Sequence, residues 1–258
     1  MQSLDRGLAV IRAFGPDRQR LTLSEVARAT GLTRSAARRF LLTLVELGYV
    51  RSDGREFSLR PRVLELGYAF LAGMSVWEAA QPHVEEMVAA VQESATVGVL
   101  DGDEVVCVLR VPAKKIMVVA IAVGTRLPAY ATAMGRVLLA GLESEELEGY
   151  LGRVRFDPLT KRTVADVDRL RSLLEEIRRD GFARVDQELE DGLRTAAVPI
   201  RDAVGRVTAA LAIPAHASMQ TMDAMKKEIV PALRAAADEI EADLRAQSGY
   251  TPIAPAID

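Results

Sequence analysis

The sequence predicts an α+β protein: an N-terminal winged helix-turn-helix, a linker helix and a larger C-terminal domain. Three observations carry this. Two short helical segments meet at a glycine, and a hairpin signal follows the second. The first 62 residues are basic and the rest of the chain is acidic. From residue 95 onward, β-branched runs of strand length interleave with helical ones. The expected organisation is a reading head over 1–60, a linker helix over 61–74, a C-terminal domain over 75–248 and a tail over 249–258. A chain of 258 residues suits two domains of roughly 100–200 residues each.

Leu4, Leu8 and Ile11 stand at i, i+4 and i+7, the spacing of one helical face, which predicts a first helix ended by Gly15-Pro16. Thr22 and Glu25 match a capping box, with Leu21 and Val26 placed as a hydrophobic staple. The helix they open runs through Ala29 and stops at Gly31. Thr33 caps a third helix, Arg34 to Leu47, which Gly48 ends. Two helices joined by a tight glycine-containing turn form the helix-turn-helix outline.

The third helix divides by face. Ala37, Leu41 and Leu44, widened by Phe40, form an apolar stripe. Arg34, Ser35, Arg38 and Arg39 fall on the other side. A guanidinium is a planar fork that can grip guanine or phosphate through two bonds at once. Taken alone, the arginines could equally be a solvated surface face. The segment after them favours DNA. Residues 49–52 and 55–59 alternate like strands, and Asp53-Gly54 between them predicts a type I′ turn. Arg51 and Arg55 flank that turn, where a wing would touch sugar-phosphate. The expected DNA contacts are therefore Thr33, Arg34, Ser35, Arg38, Arg39, Arg51 and Arg55.

Charge supports the same division. Residues 1–62 hold twelve Arg, no Lys and six acids, a net +6, which leaves −9 for the remainder. A basic head on an acidic body suits a polyanion-binding module joined to something else. The single cysteine, Cys107, rules out an intramolecular disulfide and suits a reducing compartment. The N-terminus lacks the apolar core of a signal peptide. The longest apolar run, Ile116 to Val123, is far shorter than the ~18 residues of a membrane span. The expectation is a cytoplasmic protein without a membrane partner.

Pro61 can start the linker helix, where its missing N–H costs nothing. Val63, Leu64, Leu66 and Phe70 need a surface to pack on, either their own domain or the same helix of a second subunit. Gly73 ends this helix, and Ser75 caps another running to about Glu93. Beyond it, strands are expected over 96–100, 105–109, 116–121, 182–187, 195–200 and 207–213. Helices are expected over 132–141, 163–180 and 219–245.

This domain shows no chemical engine. His83 and His216 have no partner in the sequence, and Cys107 sits among valines as a core residue would. There is no Cys/His metal cluster and no Gly-rich phosphate loop, so neither catalytic residues nor a metal or cofactor is expected. Glu188, Glu190 and Asp191 form an acidic loop, read as solvated, although paired carboxylates could do acid–base work. One place suits a ligand. Thr132 precedes a helix beginning Ala133-Met134-Gly135, whose free N–H groups would attract a carboxylate, and Tyr130 brings a ring nearby. An ordinary capped core helix would have the same spacing.

Several segments resemble the IclR family of bacterial regulators. They are residues 3–8, Leu23 to Leu47, Val123-Gly124-Thr125-Arg126-Leu127-Pro128, Met134 to Ala140 and Glu188 to Arg194. The resemblance implies a winged helix-turn-helix, a linker helix used in dimerisation and a GAF-like effector-binding domain. It also implies dimers, often tetramers, on a double-stranded operator. Residues 116–140 look more narrowly like the β-ketoadipate-pathway regulators, which respond to aromatic acids or dicarboxylates. Carried over residue by residue, the family's pocket falls on Ile116, Ala133, Met134, Val185, Thr195, Ala212 and Pro214. Tyr130 and Thr132 join them from the helix-end argument. Members that bind pyruvate or glyoxylate carry polar groups where this chain has Val185, Ala212 and Pro214, so its pocket is expected to be more apolar. Two other readings stand beside the ligand-responsive regulator. One is an enzyme on a small acid with a DNA-binding head, and the other a ligand-free architectural DNA binder.

Overall fold

A computed structural model describes residues 2–15, 17–72, 75–113 and 121–248. The chain divides into two compact units, Met1–Gly73 and Met74–Asp258. The linker helix thus belongs with the reading head. The tail over 249–258 and the expected strand residues 116–120 lie outside the described residues.

The first unit holds α1 (Gln2–Arg12), β1 (Leu21–Thr22), α2 (Leu23–Thr30), α3 (Arg34–Glu46), β2 (Val50–Ser52) and β3 (Glu56–Leu59). A 3-10 turn (Pro61–Leu64) and α4 (Glu65–Ala72) follow. The expected capping box is formed: Thr22 Oγ1 accepts from Glu25 N, and the Glu25 carboxylate accepts from Thr22 N at 2.7 Å. Those bonds, the Thr22 backbone N–H foremost, hold the Glu25 carboxyl below its usual range. Ala37, Leu41 and Leu44 of α3 are buried as their spacing predicts, against Val10, Phe14, Val26 and Val50.

Two details go beyond the sequence reading or depart from it. On α1 the inner residue is Val10, while Leu4 is 72% and Leu8 45% exposed. Leu4 and Leu8 face outward, while Ile11 at the end of the same stripe is half-buried against the core. At the wing, Gly54 has φ +94° and Arg55 does not have positive φ. Asp53 does not have positive φ either, so the turn is not type I′ over Asp53-Gly54, which needs positive φ at both central residues. Asp53 closes the turn instead, its Oδ1 accepting from Arg55 N and Glu56 N. The strand order β1-β3-β2 adds the two-residue β1, which sequence patterning did not predict.

The second unit centres on an antiparallel sheet of order β6-β5-β4-β9-β8-β7. Its strands are β4 (Ala95–Asp101), β5 (Glu104–Val111), β6 (Arg126–Pro128), β7 (Ala183–Asp186), β8 (Leu193–Arg201) and β9 (Val207–His216). Side chains alternate across a strand, and consecutive residues Ala95 to Val99 are buried, so both faces are covered. One face carries α6 (Ala133–Ala140), α7 (Ser144–Leu151) and α8 (Val167–Asp180), packed on Val105, Val185, Ala197 and Ala212. α5 (Ser75–Val91) and the C-terminal helix pack on each other and on the sheet. That last helix is built from α9 (Met222–Ala224), a π-helical turn (Met225–Ile229) and α10 (Val230–Ser248). His83 of α5 finds partners there: its ring nitrogens lie 3.1 Å from Glu239 and 2.8 Å from Asp243.

Helix α8 starts at Val167, later than the expected 163, because Asp166 caps it by accepting from Arg169 N. α7 and β6 were not anticipated; α7 has only Leu147, Tyr150 and Leu151 buried, too brief a pattern to stand out. Gly135 explains how α6 lies so close to the 3-10 turn Ala129–Ala131. A Cβ at that position would stand 2.2 Å from the Ala129 carbonyl oxygen.

Candidate functional site

The reading head presents one charged surface. Thr33 caps α3, its Oγ1 accepting from Ala36 N, and no acid stands in the helix's first turn. The positive end of the helix dipole is therefore left unneutralised. Arg34, Ser35, Arg38 and Arg39 are all exposed, on the side opposite buried Ala37 and Leu41. None of the three arginines has a hydrogen-bonded or ionic partner among the described residues. Arg55 at the wing tip is likewise exposed. Arg51 differs: its Nε donates to Ser58 Oγ at 2.9 Å, which fixes it to the outer face of the wing sheet. An open groove of about 300 Å3 lies on that face, between Arg20, Arg51 and Ser58. It is a surface feature without enclosing walls.

In the second unit a cavity opens between the sheet and the start of α6. Thr132, Met134, Thr195, Ala212 and Pro214, all expected there, line it. Thr96, Ile121, Leu127, Leu189 and Leu193 complete its walls. These five were missed because they come from strand ends and loops, where spacing carries no facing signal. Tyr130, Ala133 and Val185 are buried but do not line the cavity. The Tyr130 ring packs edge-on against Phe156, with centroids 5.0 Å apart. Its hydroxyl donates to Asp157 O and accepts from Asp157 N, so the side chain braces a loop instead. Ala133 and Val185 turn into the apolar core beside α8. Ile116 lies outside the described residues.

The walls are apolar apart from three threonine hydroxyls and the first turn of α6. Thr132 Oγ1 already accepts from Gly135 N at 3.0 Å. The N–H groups of Ala133 and Met134 begin the helix without an intrahelical partner, as the first four always do. The cavity is tight, about 20 Å3, which is room for a water or two. An aromatic ring needs on the order of 150 Å3, so such a ligand must spread the walls.

Glu188 proves not to be a solvated loop acid. It is 8% exposed and grips Arg136, itself 2% exposed, through bonds of 2.8 and 2.6 Å. Val164 N also donates to its Oε2, and Arg136 Nε donates to Tyr130 O. Every oxygen of this carboxylate is engaged, so it has no capacity for acid–base work on a ligand. Glu190 and Asp191 are exposed, as expected. Cys107 is buried, and burial pushes its thiol up to about 11, far from the thiolate a nucleophile needs. Among the described residues no group of His, Cys, Asp and Glu is placed to hold a metal ion. No described helix is long and apolar enough to cross a membrane.

Comparison with known proteins adds to this geometry. Residues 3–54 match the model of the IclR helix-turn-helix domain, and residues 68–242 that of the bacterial transcriptional regulator IclR C-terminal domain. The Pca regulon regulatory protein of Pseudomonas putida is 41% identical over 93% of this chain and 83% of its own. The p-hydroxybenzoate hydroxylase transcriptional activator of Acinetobacter baylyi is 34% identical over 92% and 89%. The solved structure of an IclR homolog from Microbacterium hydrocarbonoxydans, complexed with 4-hydroxybenzoate, is 31% identical. It aligns with a TM-score of 0.82 over 95% of this chain and 99% of its own.

Proposed function

This chain belongs to the IclR family of bacterial transcriptional regulators, and from that premise we propose that it controls genes of aromatic-acid breakdown in response to an aromatic acid. It is a regulator and not an enzyme, in line with the relatives it matches. The observation that carries the ligand reading is the apolar, threonine-studded cavity at the α6 N-terminus. A relative of the same fold holds 4-hydroxybenzoate, and two others are named for pathways of that chemistry. Thr132, Met134, Thr195, Ala212 and Pro214 line the ligand site. Tyr130, Ala133 and Val185 act as its buried surroundings.

The output is DNA binding. Arg34, Ser35, Arg38 and Arg39 enter the major groove from the start of α3, with Thr33 at the helix end. Arg51 and Arg55 hold the backbone from the wing. The protein works in the cytoplasm as a homodimer or a tetramer. Exposed Leu4 and Leu8 on α1, with Leu64, Leu66 and Tyr68 at the linker, offer the apolar surface a second subunit would cover. Pairing there sets two reading heads on two half-sites.

A thermal-shift series with aromatic and aliphatic acids tests the sensor. Stabilisation by 4-hydroxybenzoate or a close analogue is expected, growing with ligand concentration. No stabilisation by any acid would leave only a ligand-free DNA binder. Thr132→Val should weaken acid binding; unchanged binding removes the helix end from the site.

A further inference from the structure

Away from the effector cavity, the second unit gathers three cations around one ring. Arg184 of β7, Lys226 of the π-helical turn and Arg234 of α10 lie 5.7, 5.9 and 5.4 Å from the centroid of Phe182. Lys226 and Arg234 are exposed, and Arg184 is half-buried. Like charges held this close repel, and an exposed ring offsets only part of that. None of the three makes an ion pair among the described residues. The acids nearest in the chain are committed elsewhere. Asp180, whose carbonyl accepts from Arg234 Nη2, pairs through its carboxylate with Arg179 at 3.1 Å. Asp186 pairs with Arg162 and Arg194. The cluster also stands against its background, since residues 63–258 net −9.

A cleft of about 100 Å3 opens beside these cations. Gly181 lines it, and a Cβ there would stand 3.7 Å from Arg234 Nη2. Val137, Ile177, Pro199 and Val207 give the cleft apolar walls. Arg178 lines it too, anchored by donating from Nε and Nη2 to Ala140 O and Leu142 O, and it makes no ion pair among the described residues. The backbone is irregular at the same place. Lys226 sits in the π-helical turn Met225–Ile229, a departure from α geometry that occurs mostly where a helix serves a site.

An apolar socket flanked by cations suits a chain that carries carboxylates around one apolar side chain. Arginine clusters recognise acidic motifs in this way, the guanidinium fork taking a carboxylate. We propose that this face docks an acidic segment of another protein, with its carboxylates on Arg184, Lys226 and Arg234 and one aliphatic side chain in the cleft. Duplex DNA fits less well, because it offers no such anchor and the surrounding unit is acidic. The cleft shares no lining residue with the effector cavity, so the proposal stands apart from the aromatic-acid reading.

The probe is a labelled synthetic peptide, a leucine flanked on both sides by Asp and Glu. Fluorescence anisotropy follows its titration with the full chain, with excess unlabelled duplex present to occupy the reading head. Binding is expected, and it should weaken as salt screens the charges. Combined Arg184→Glu, Lys226→Glu and Arg234→Glu should lower the affinity by about 10-fold or more, as expected when three charge contacts are reversed. A peptide with alanine in place of leucine should bind severalfold more weakly. Should the triple variant not fold, Lys226→Glu alone supplies the reading, with a severalfold loss. Binding unchanged by these variants, equal binding of the two peptides, displacement by the duplex, or no binding at all overturns the proposal. A triple variant with an altered oligomeric state in sedimentation velocity also overturns it, and assigns the face to a second copy of this chain.

Discussion

The same side chain is used in opposite ways in the two halves of the molecule. In the reading head, the side chains of Arg34, Arg38, Arg39 and Arg55 are exposed and make no ion pair among the described residues. In the C-terminal unit, Arg136 is buried and all three of its nitrogens donate, Nη1 and Nη2 to Glu188 and Nε to Tyr130 O. An exposed guanidinium costs the fold almost nothing and keeps its charge for a partner. A buried one must be matched within the protein, and then it ties elements together. Placement of arginine thus separates the surface proposed to meet DNA from a brace within the fold.

The largest effect should come from breaking the brace. Arg136→Met leaves Glu188 buried without its counter-charge, and urea denaturation should show a loss of about 3–5 kcal/mol. Adding Glu188→Leu should restore much of it; a double variant as weak as the single one would contradict the pairing argument. Next comes Arg38→Ala, expected to lower operator affinity by about 1–3 kcal/mol at one base position without changing the melting temperature. A drop in stability there would blur the contrast between the two halves. Arg39→Ala should weaken binding evenly across sequences and reduce the salt slope by about 1. Thr22→Ala should destabilise the head by about 1 kcal/mol and leave acid binding unchanged in titration.

The smallest effect concerns pH. Glu25 has a depressed carboxyl pKa in the folded head, held down by Thr22. Its contribution is complete above the unfolded carboxyl value and fades as pH falls through the folded one. Melting curves of Glu25→Gln should therefore depend less on pH across the acidic range than those of the wild type. Parallel curves would show that the capping carboxylate is inert.

The head was almost fully legible in the sequence because its signals are local. The Thr22 and Glu25 pair, the Thr33 cap and the Ala37, Leu41, Leu44 stripe act within a few residues. Even there, spacing located an apolar stripe on α1 without saying which side the core would take. The cavity was half legible. Thr132 announced a helix start, but Leu193 reaches the site through its pairing with β9, and Leu189 follows Glu188, which Arg136 clasps from 52 positions away. Nothing in one sequence marks such a clasp. Tyr130 was placed at the ligand by adjacency, whereas its hydroxyl commits it to Asp157.

The tightness of the cavity has a consequence for how the regulator would set its threshold. If the binding-competent form is the opened one, the observed dissociation constant is the intrinsic one divided by the fraction of molecules open at rest. The packing of the walls that include Leu127, Leu189 and Met134 then acts as a dial on the concentration that is sensed. Trimming one of these walls would make the protein answer to scarcer acid without any new contact to it. The same change would admit other small acids, so the closed resting state keeps the response selective by keeping it dull.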